Sequence, residues 1–174
     1  MLEDMTIRKA VEFAAETEDL GTIFYRRMAK KFAKKDKEIS TIFNTLADDE
    51  VAHHREFTKL LDTIPKDENE SSYGDRIDLL KVMARSQFFI GQSGLYRKLD
   101  EIKTREDALE RALQFEKNAW SFYLVLEDAI GKSDVLSSII DFERGHLEKL
   151  MEYMITGAKM RGLGDTPGAQ EHPS

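Results

Sequence analysis

Cysteine is absent from the 174-residue sequence. That excludes disulfides, thiol catalysis, cysteine-ligated zinc and a rubredoxin-type iron centre within it. Proline (3) and glycine (10) are scarce, so little in the chain interrupts a helix. No run of 18 uninterrupted apolar residues occurs, so no membrane span and no membrane partner are expected. The opening MLEDMTIRKA has early acids and no apolar stretch, so no secretory signal is expected and a cytoplasmic location is. Positive charge is not in surplus either. The net charge of −7 argues against a nucleic-acid partner, because phosphate binding needs a basic face. What remains is 41% apolar and 34% charged residues, the balance of a folded chain with enough length to bury a core.

Four stretches carry helical periodicity. The first, about Thr6 to Lys34, aligns Val11, Ala14, Glu18, Gly21, Tyr25, Met28 and Phe32. The second, about Lys37 to Thr63, aligns Phe43, Leu46, Glu50, His53, Phe57 and Leu60, and Pro65 with the polar run KDENESS ends it. The third, about Thr104 to Ile130, aligns Leu109, Ala112, Glu116, Ala119, Tyr123 and Leu126. Thr104 and Asp107 read as its N-cap pattern and Gly131 as its C-cap. The fourth, Ser133 to about Met160, aligns Leu136, Ile139, Ile140, Glu143, His146, Leu147 and Leu150. A shorter helix is expected over Ile77 to Phe89, before Gly91 and Gly94. Two close-coupled helix pairs joined by about forty residues predict an all-α fold: an antiparallel four-helix bundle of ferritin-like topology, with one long crossover holding a short extra helix. The bundle is expected over 1–162, with a loose tail over 163–174.

The two halves repeat. AVEFAAETEDLGTIFY from Ala10 aligns with ALERALQFEKNAWSFY from Ala108, so Glu18 meets Glu116 and Tyr25 meets Tyr123. Each segment precedes a helix with E-x-x-H: Glu50 with His53, then Glu143 with His146. Chance pairing of 18 glutamates with 4 histidines predicts roughly 0.4 such spacings; two, each after E-x6-Y, is a pattern. Residues three apart share a helix face. All four glutamates fall on apolar faces, where an unpaired carboxylate is costly and four together repel. Two divalent cations cancel four carboxylates and leave one neutral imidazole for each ion. A glutamate from each of two helices, with Glu-x-x-His from each of the other two, is the general carboxylate di-metal pattern.

ETEDLGTIFY, DDEVAHHREF, FEKNAWSFY and DFERGHLEKL resemble the four ligand segments of the rubrerythrin branch of the ferritin-like superfamily. The resemblance spans about Thr6 to Gly157. It implies that Glu18 and Glu116 are terminal ligands, that Glu50 and Glu143 bridge the metals, and that His53 and His146 bind one metal each. It implies that Tyr25 and Tyr123 stand behind these ligands. The sequence departs from the family in two places. It has no cysteine for an appended rubredoxin domain, so electrons are expected from a separate donor protein. Ala119 and Trp120 stand where the family carries a further glutamate.

The expected function is a non-haem di-iron oxidoreductase that reduces hydrogen peroxide or reacts with dioxygen. Its cofactor is two iron ions, with manganese or zinc as substitutes. Tyr25 and Tyr123 would hydrogen-bond to ligands or quench stray oxidation. A ferroxidase and a non-enzymatic helical module stabilised by metal are the alternatives. A homodimer is expected from the resemblance. His54 and His172 are expected outside the site, and Asp49 is a candidate to orient a ligand histidine.

Overall fold

The computed structural model describes residues 6–64, 74–84 and 99–164. Helix α1 is Ile7–Phe32, α2 Lys37–Thr63, α3 Gly74–Ala84, α4 Arg105–Ile130 and α5 Asp134–Gly164, with a 3-10 turn at Leu99–Glu101. No strand occurs among the described residues.

Local chemistry sets the helix ends. Thr6 caps α1 by accepting from the Lys9 N–H, and Asp36 caps α2 by accepting from the Ile39 N–H. Thr104 and Asp107 form a reciprocal capping box on α4. Ser133 Oγ accepts from the Leu136 N–H at the start of α5. Gly131 closes α4 at φ +85°, a left-handed conformation that glycine adopts without strain. Ile64 ends α2 in extended conformation, as the residue before Pro65 must.

The core is split into two apolar layers. One gathers Val11 and Ala14 of α1, Phe57 of α2, Phe122 and Leu126 of α4, and Leu136 and Ile139 of α5. The other gathers Phe24 and Met28, Phe43 and Leu46, Leu109 and Phe115, and Leu150 from the same four helices. The order in which each helix meets the layers gives its direction. α1 and α5 run one way, and α2 and α4 the other. The cross-bundle contacts agree. Arg8 Nη1 on α1 donates to the Leu61 carbonyl near the end of α2 at 3.0 Å. Arg105 at the start of α4 bonds Asp36 and Glu38 at the start of α2, at 3.1 and 3.0 Å. A chain that leaves α2 at one end and begins α4 at the other must travel the bundle's length. This explains the long crossover. Its α3 places Leu80 and Ala84 in the first layer, and its later part places Leu99 and Ile102 in the second.

This is the ferritin-like helical bundle the sequence predicts, and every residue assigned to a core-facing stripe is buried. Two boundaries differ. Helix α3 begins at Gly74 rather than Ile77, because the polar first turn Gly-Asp-Arg carries no apolar periodicity to reveal it. Residues 85–89 of the expected helix lie outside the described residues. Helix α5 continues to Gly164, past both Met160 and the 162 boundary; a glycine costs only about 1 kcal/mol in a helix and does not by itself end one. The rest of the expected tail lies outside the described residues. No helix among them is long and apolar enough to cross a membrane.

Candidate metal centre

Between the two apolar layers lies a layer of charge. Glu18 of α1, Glu50 and His53 of α2, Glu116 of α4, and Glu143 and His146 of α5 are all at most 4% exposed. Among the described residues they are the only buried carboxylates and imidazoles. Burying four carboxylates against apolar neighbours costs several kcal/mol each unless a counter-charge joins them. Helical spacing put them there: each glutamate continues the apolar stripe of its own helix.

The six side chains converge in two overlapping sets. Glu18, Glu50, His53 and Glu143 present ligand atoms within 4.8 Å of one another, and so do Glu50, Glu116, Glu143 and His146. Glu50 and Glu143 belong to both. His53 Nδ1 lies 2.9 Å from Glu143 Oε1 and 3.3 Å from Glu18 Oε2. His146 Nδ1 lies 3.5 Å from Glu116 Oε2 and 3.8 Å from Glu143 Oε2. These approaches lack hydrogen-bond geometry. Glu18 Oε2, Glu50 Oε1, Glu116 Oε2, both Glu143 oxygens and both Nδ1 atoms are buried without a hydrogen-bond partner. Buried polar atoms are ordinarily satisfied. So many orphaned oxygens and nitrogens facing one centre fit cation coordination, and the all-oxygen-and-nitrogen donor set suits iron, manganese or zinc.

The outward atoms of the same side chains are held. The Tyr25 hydroxyl on α1 donates to Glu116 Oε1 on α4. The Tyr123 hydroxyl on α4 donates to Glu18 Oε1 on α1. Each tyrosine thus fixes the glutamate of the opposite half, which turns the second oxygen inward. His146 Nε2 is 3.1 Å from Asp49 Oδ2, so its outer nitrogen is tied to a carboxylate and Nδ1 faces the cluster. The two imidazole rings lie 5.5 Å apart on the α2–α5 side.

Electrostatics report the same crowding. Burial, followed by the neighbouring Glu18, Glu116 and Glu143, raises the Glu50 carboxyl well above its ordinary range. Burial and Glu143 push Glu116 up to about 7, against the pull of His146. Burial alone would lower the His53 imidazole, but Glu143 and Glu18 prevail and raise it to about 10. Burial works the same way on His146, where Glu116, Asp49 and Glu143 raise it to about 12. Burial and Glu18 would lift Glu143, but its contacts with His146, His53 and Glu116 hold it below the usual value. Burial, then the adjacent Glu116 and Glu18 respectively, raises Tyr25 and Tyr123 well above 10, so both stay protonated donors. Without metal, the cluster balances its charge by retaining protons.

All eight residues singled out in the sequence meet here. His54 turns away, half-exposed and 3.6 Å from Asp19. His172 lies outside the described residues. Ala119, at the position where the family resemblance would place a further carboxylate, is buried in an apolar layer. One contributor went unassigned: Gly21. A Cβ there would stand 2.8 Å from a Phe115 ring carbon and 2.9 Å from the Glu50 carboxyl carbon. Its missing side chain is the space Glu50 occupies. The signal was a glycine in mid-helix, three residues after Glu18 on the core stripe. A family model described as Rubrerythrin matches residues 9–154, which contain all of these residues except His172. No curated protein and no solved structure matches the chain.

Proposed function

The chain belongs to the rubrerythrin family, and from that premise we propose that it is a non-haem di-iron oxidoreductase that reduces hydrogen peroxide. The observation that carries this reading is the pair of four-residue sets sharing Glu50 and Glu143. In it, Glu50 and Glu143 would serve both of two ions, with Glu18 and His53 completing the donor set of one and Glu116 and His146 that of the other. Iron held there would supply the redox chemistry, the two electrons needed to cleave the O–O bond. Peroxide, two electrons and two protons give two waters, and a separate donor restores the electrons.

The chain's own residues do the positioning. Tyr25 and Tyr123 hold Glu116 and Glu18 from behind, so that one oxygen of each faces the centre. Asp49 keeps the proton of His146 on the outer nitrogen and leaves Nδ1 as the ligand atom. The apolar layers above and below keep water from competing for the carboxylates.

Ala119, in place of a further carboxylate, favours a second reading, in which ferrous iron is the substrate and the site is a ferroxidase. Anaerobic loading with ferrous iron, followed by desalting, tests the shared premise: about two irons per chain are expected. Mixing the loaded protein with peroxide or dioxygen then separates the readings. The peroxidase consumes one peroxide per chain and keeps its iron. The ferroxidase oxidises many added ferrous ions per chain. Near-zero retained iron in a folded protein refutes the di-iron assignment.

A further inference from the structure

The sequence repeat pairs the ligands of the two halves of the cluster, but their surroundings differ. Glu18 and Glu116 correspond, and each is held by a tyrosine from the other half. Glu50 and Glu143 correspond, as do His53 and His146. The residue before Glu50 is Asp49, and the residue before Glu143 is Phe142. Asp49 reaches across to the outer nitrogen of His146. Phe142, in the corresponding place, lays its ring 5.6 Å from that of His53. One ligand histidine therefore rests on a carboxylate and the other on an aromatic ring.

A second difference falls on the same side. A cavity of about 480 Å³ between α2 and α5 is lined by Asp49, His53, Glu56, Asp134, Ile139 and Phe142, and not by His146. Phe142, 56% exposed, forms part of its wall. The set containing His53 thus lies against a space that reaches the surface, whereas His146 is enclosed.

We infer that the two metal positions are unequal: the His146 set takes the first ion and retains it, and the His53 set takes the second and exchanges it through the α2–α5 cavity. This rests on the two-metal reading of the cluster. The reason is the partner on the outer nitrogen. A carboxylate there fixes the ring's orientation and tautomer and strengthens the nitrogen as a donor, and such partners are worth about 10- to 100-fold in metal affinity. The bridging glutamates serve both sets and the tyrosines are matched, so neither cancels the difference.

The test is calorimetric titration of the metal-free full chain with cobalt(II), with the fold monitored by circular dichroism. Two binding steps at least about tenfold apart are expected. Glu18→Gln, at a ligand that belongs to the His53 set alone, should abolish the weak step and leave the tight one. Asp49→Ala should weaken the tight step by about tenfold or more. Phe142→Asp, which installs the missing carboxylate at an exposed position, should strengthen the weak step and bring the two together. In zinc-loaded protein, a chelator should remove one ion quickly and the other slowly. Two equal steps in the unaltered chain, or Asp49→Ala weakening only the looser step, overturn the inference while the two-metal reading stands. Binding of no cobalt by the folded chain overturns both.

Discussion

The Tyr123 hydroxyl on α4 donates to Glu18 Oε1 on α1, across the bundle rather than along its own helix. Tyr123 lies seven residues after Glu116, about 10 Å along the helix axis, too far for a hydrogen bond between them. Antiparallel packing of α1 on α4 brings each tyrosine level with the other helix's glutamate instead. The pair Tyr25 and Glu116 repeats the arrangement. Tyr123→Phe should therefore leave Glu18 Oε1 buried and unsatisfied, at a cost of about 1–3 kcal/mol in the metal-free protein. It should also weaken the metal position built on Glu18 and leave the one built on Glu116 near its original affinity. Tyr25→Phe should do the reverse. Thermal unfolding and a metal titration of both variants check the direction of each effect.

Glu50 and Glu143 each belong to both ligand sets, whereas Glu18 and Glu116 belong to one each. Removing a shared carboxylate should cost more than removing an unshared one. Glu50→Ala is expected to lose both ions and all activity. Glu18→Ala is expected to retain close to one ion, held by Glu50, Glu116, Glu143 and His146. Elemental analysis after desalting distinguishes the two outcomes, and equal losses would show that the sets do not overlap in solution.

The positions of the six cluster residues were legible because helical periodicity alone decides which face a residue occupies. Glu18, Glu50, Glu116 and Glu143 interrupt apolar stripes, and a carboxylate on such a stripe has nowhere to go but the core. The length of the connection between the two helix pairs made the single long crossover legible too, although the parallel direction of α2 and α4 appears only in the packing. The crossed tyrosine bonds were not, because the repeat aligns Tyr25 with Tyr123 but does not say which glutamate each reaches. That depends on the relative level of two helices, a property of packing. The role of Gly21 depends likewise on how closely α2 approaches α1, and no spacing in the sequence encodes that distance.

Gly21→Ala tests that close approach. An added methyl would meet Phe115 and the Glu50 carboxyl below 3.0 Å. The ring is buried in an apolar layer and cannot move freely, so Glu50 must be displaced. Overpacking of this kind costs about 1–3 kcal/mol. The better helix propensity of alanine returns up to about 1 kcal/mol. Stability should therefore fall by up to about 2 kcal/mol, while metal content falls as well. A variant that keeps two ions with unaltered affinity would show that the site has more room around Glu50 than the structure gives it.

The charge balance of the cluster sets the pH dependence of the metal-free chain. Glu50 and Glu116 hold protons above the ordinary carboxylate value of 4.5, Glu116 up to about 7. His53 and His146 hold theirs above 6.5, up to about 10 and about 12. Between about pH 5 and pH 9 the folded chain thus binds more protons than the unfolded one, and stability must fall as pH rises through that window, by about 1.4 kcal/mol per pH unit for each extra proton. The groups whose values are lowered, Asp49 and Glu143, act oppositely, but their contribution is lost only as pH falls below the carboxylate range. Divalent ions displace the retained protons, so metal binding should release protons and tighten as pH rises. Unfolding curves at pH 5, 7 and 9 should show the metal-free protein losing stability and the loaded protein resisting that loss. Calorimetric titrations in buffers of different ionisation enthalpy should count the protons released. A metal-free chain whose stability rises from pH 5 to pH 9 would mean that the cluster does not retain protons in place of metal.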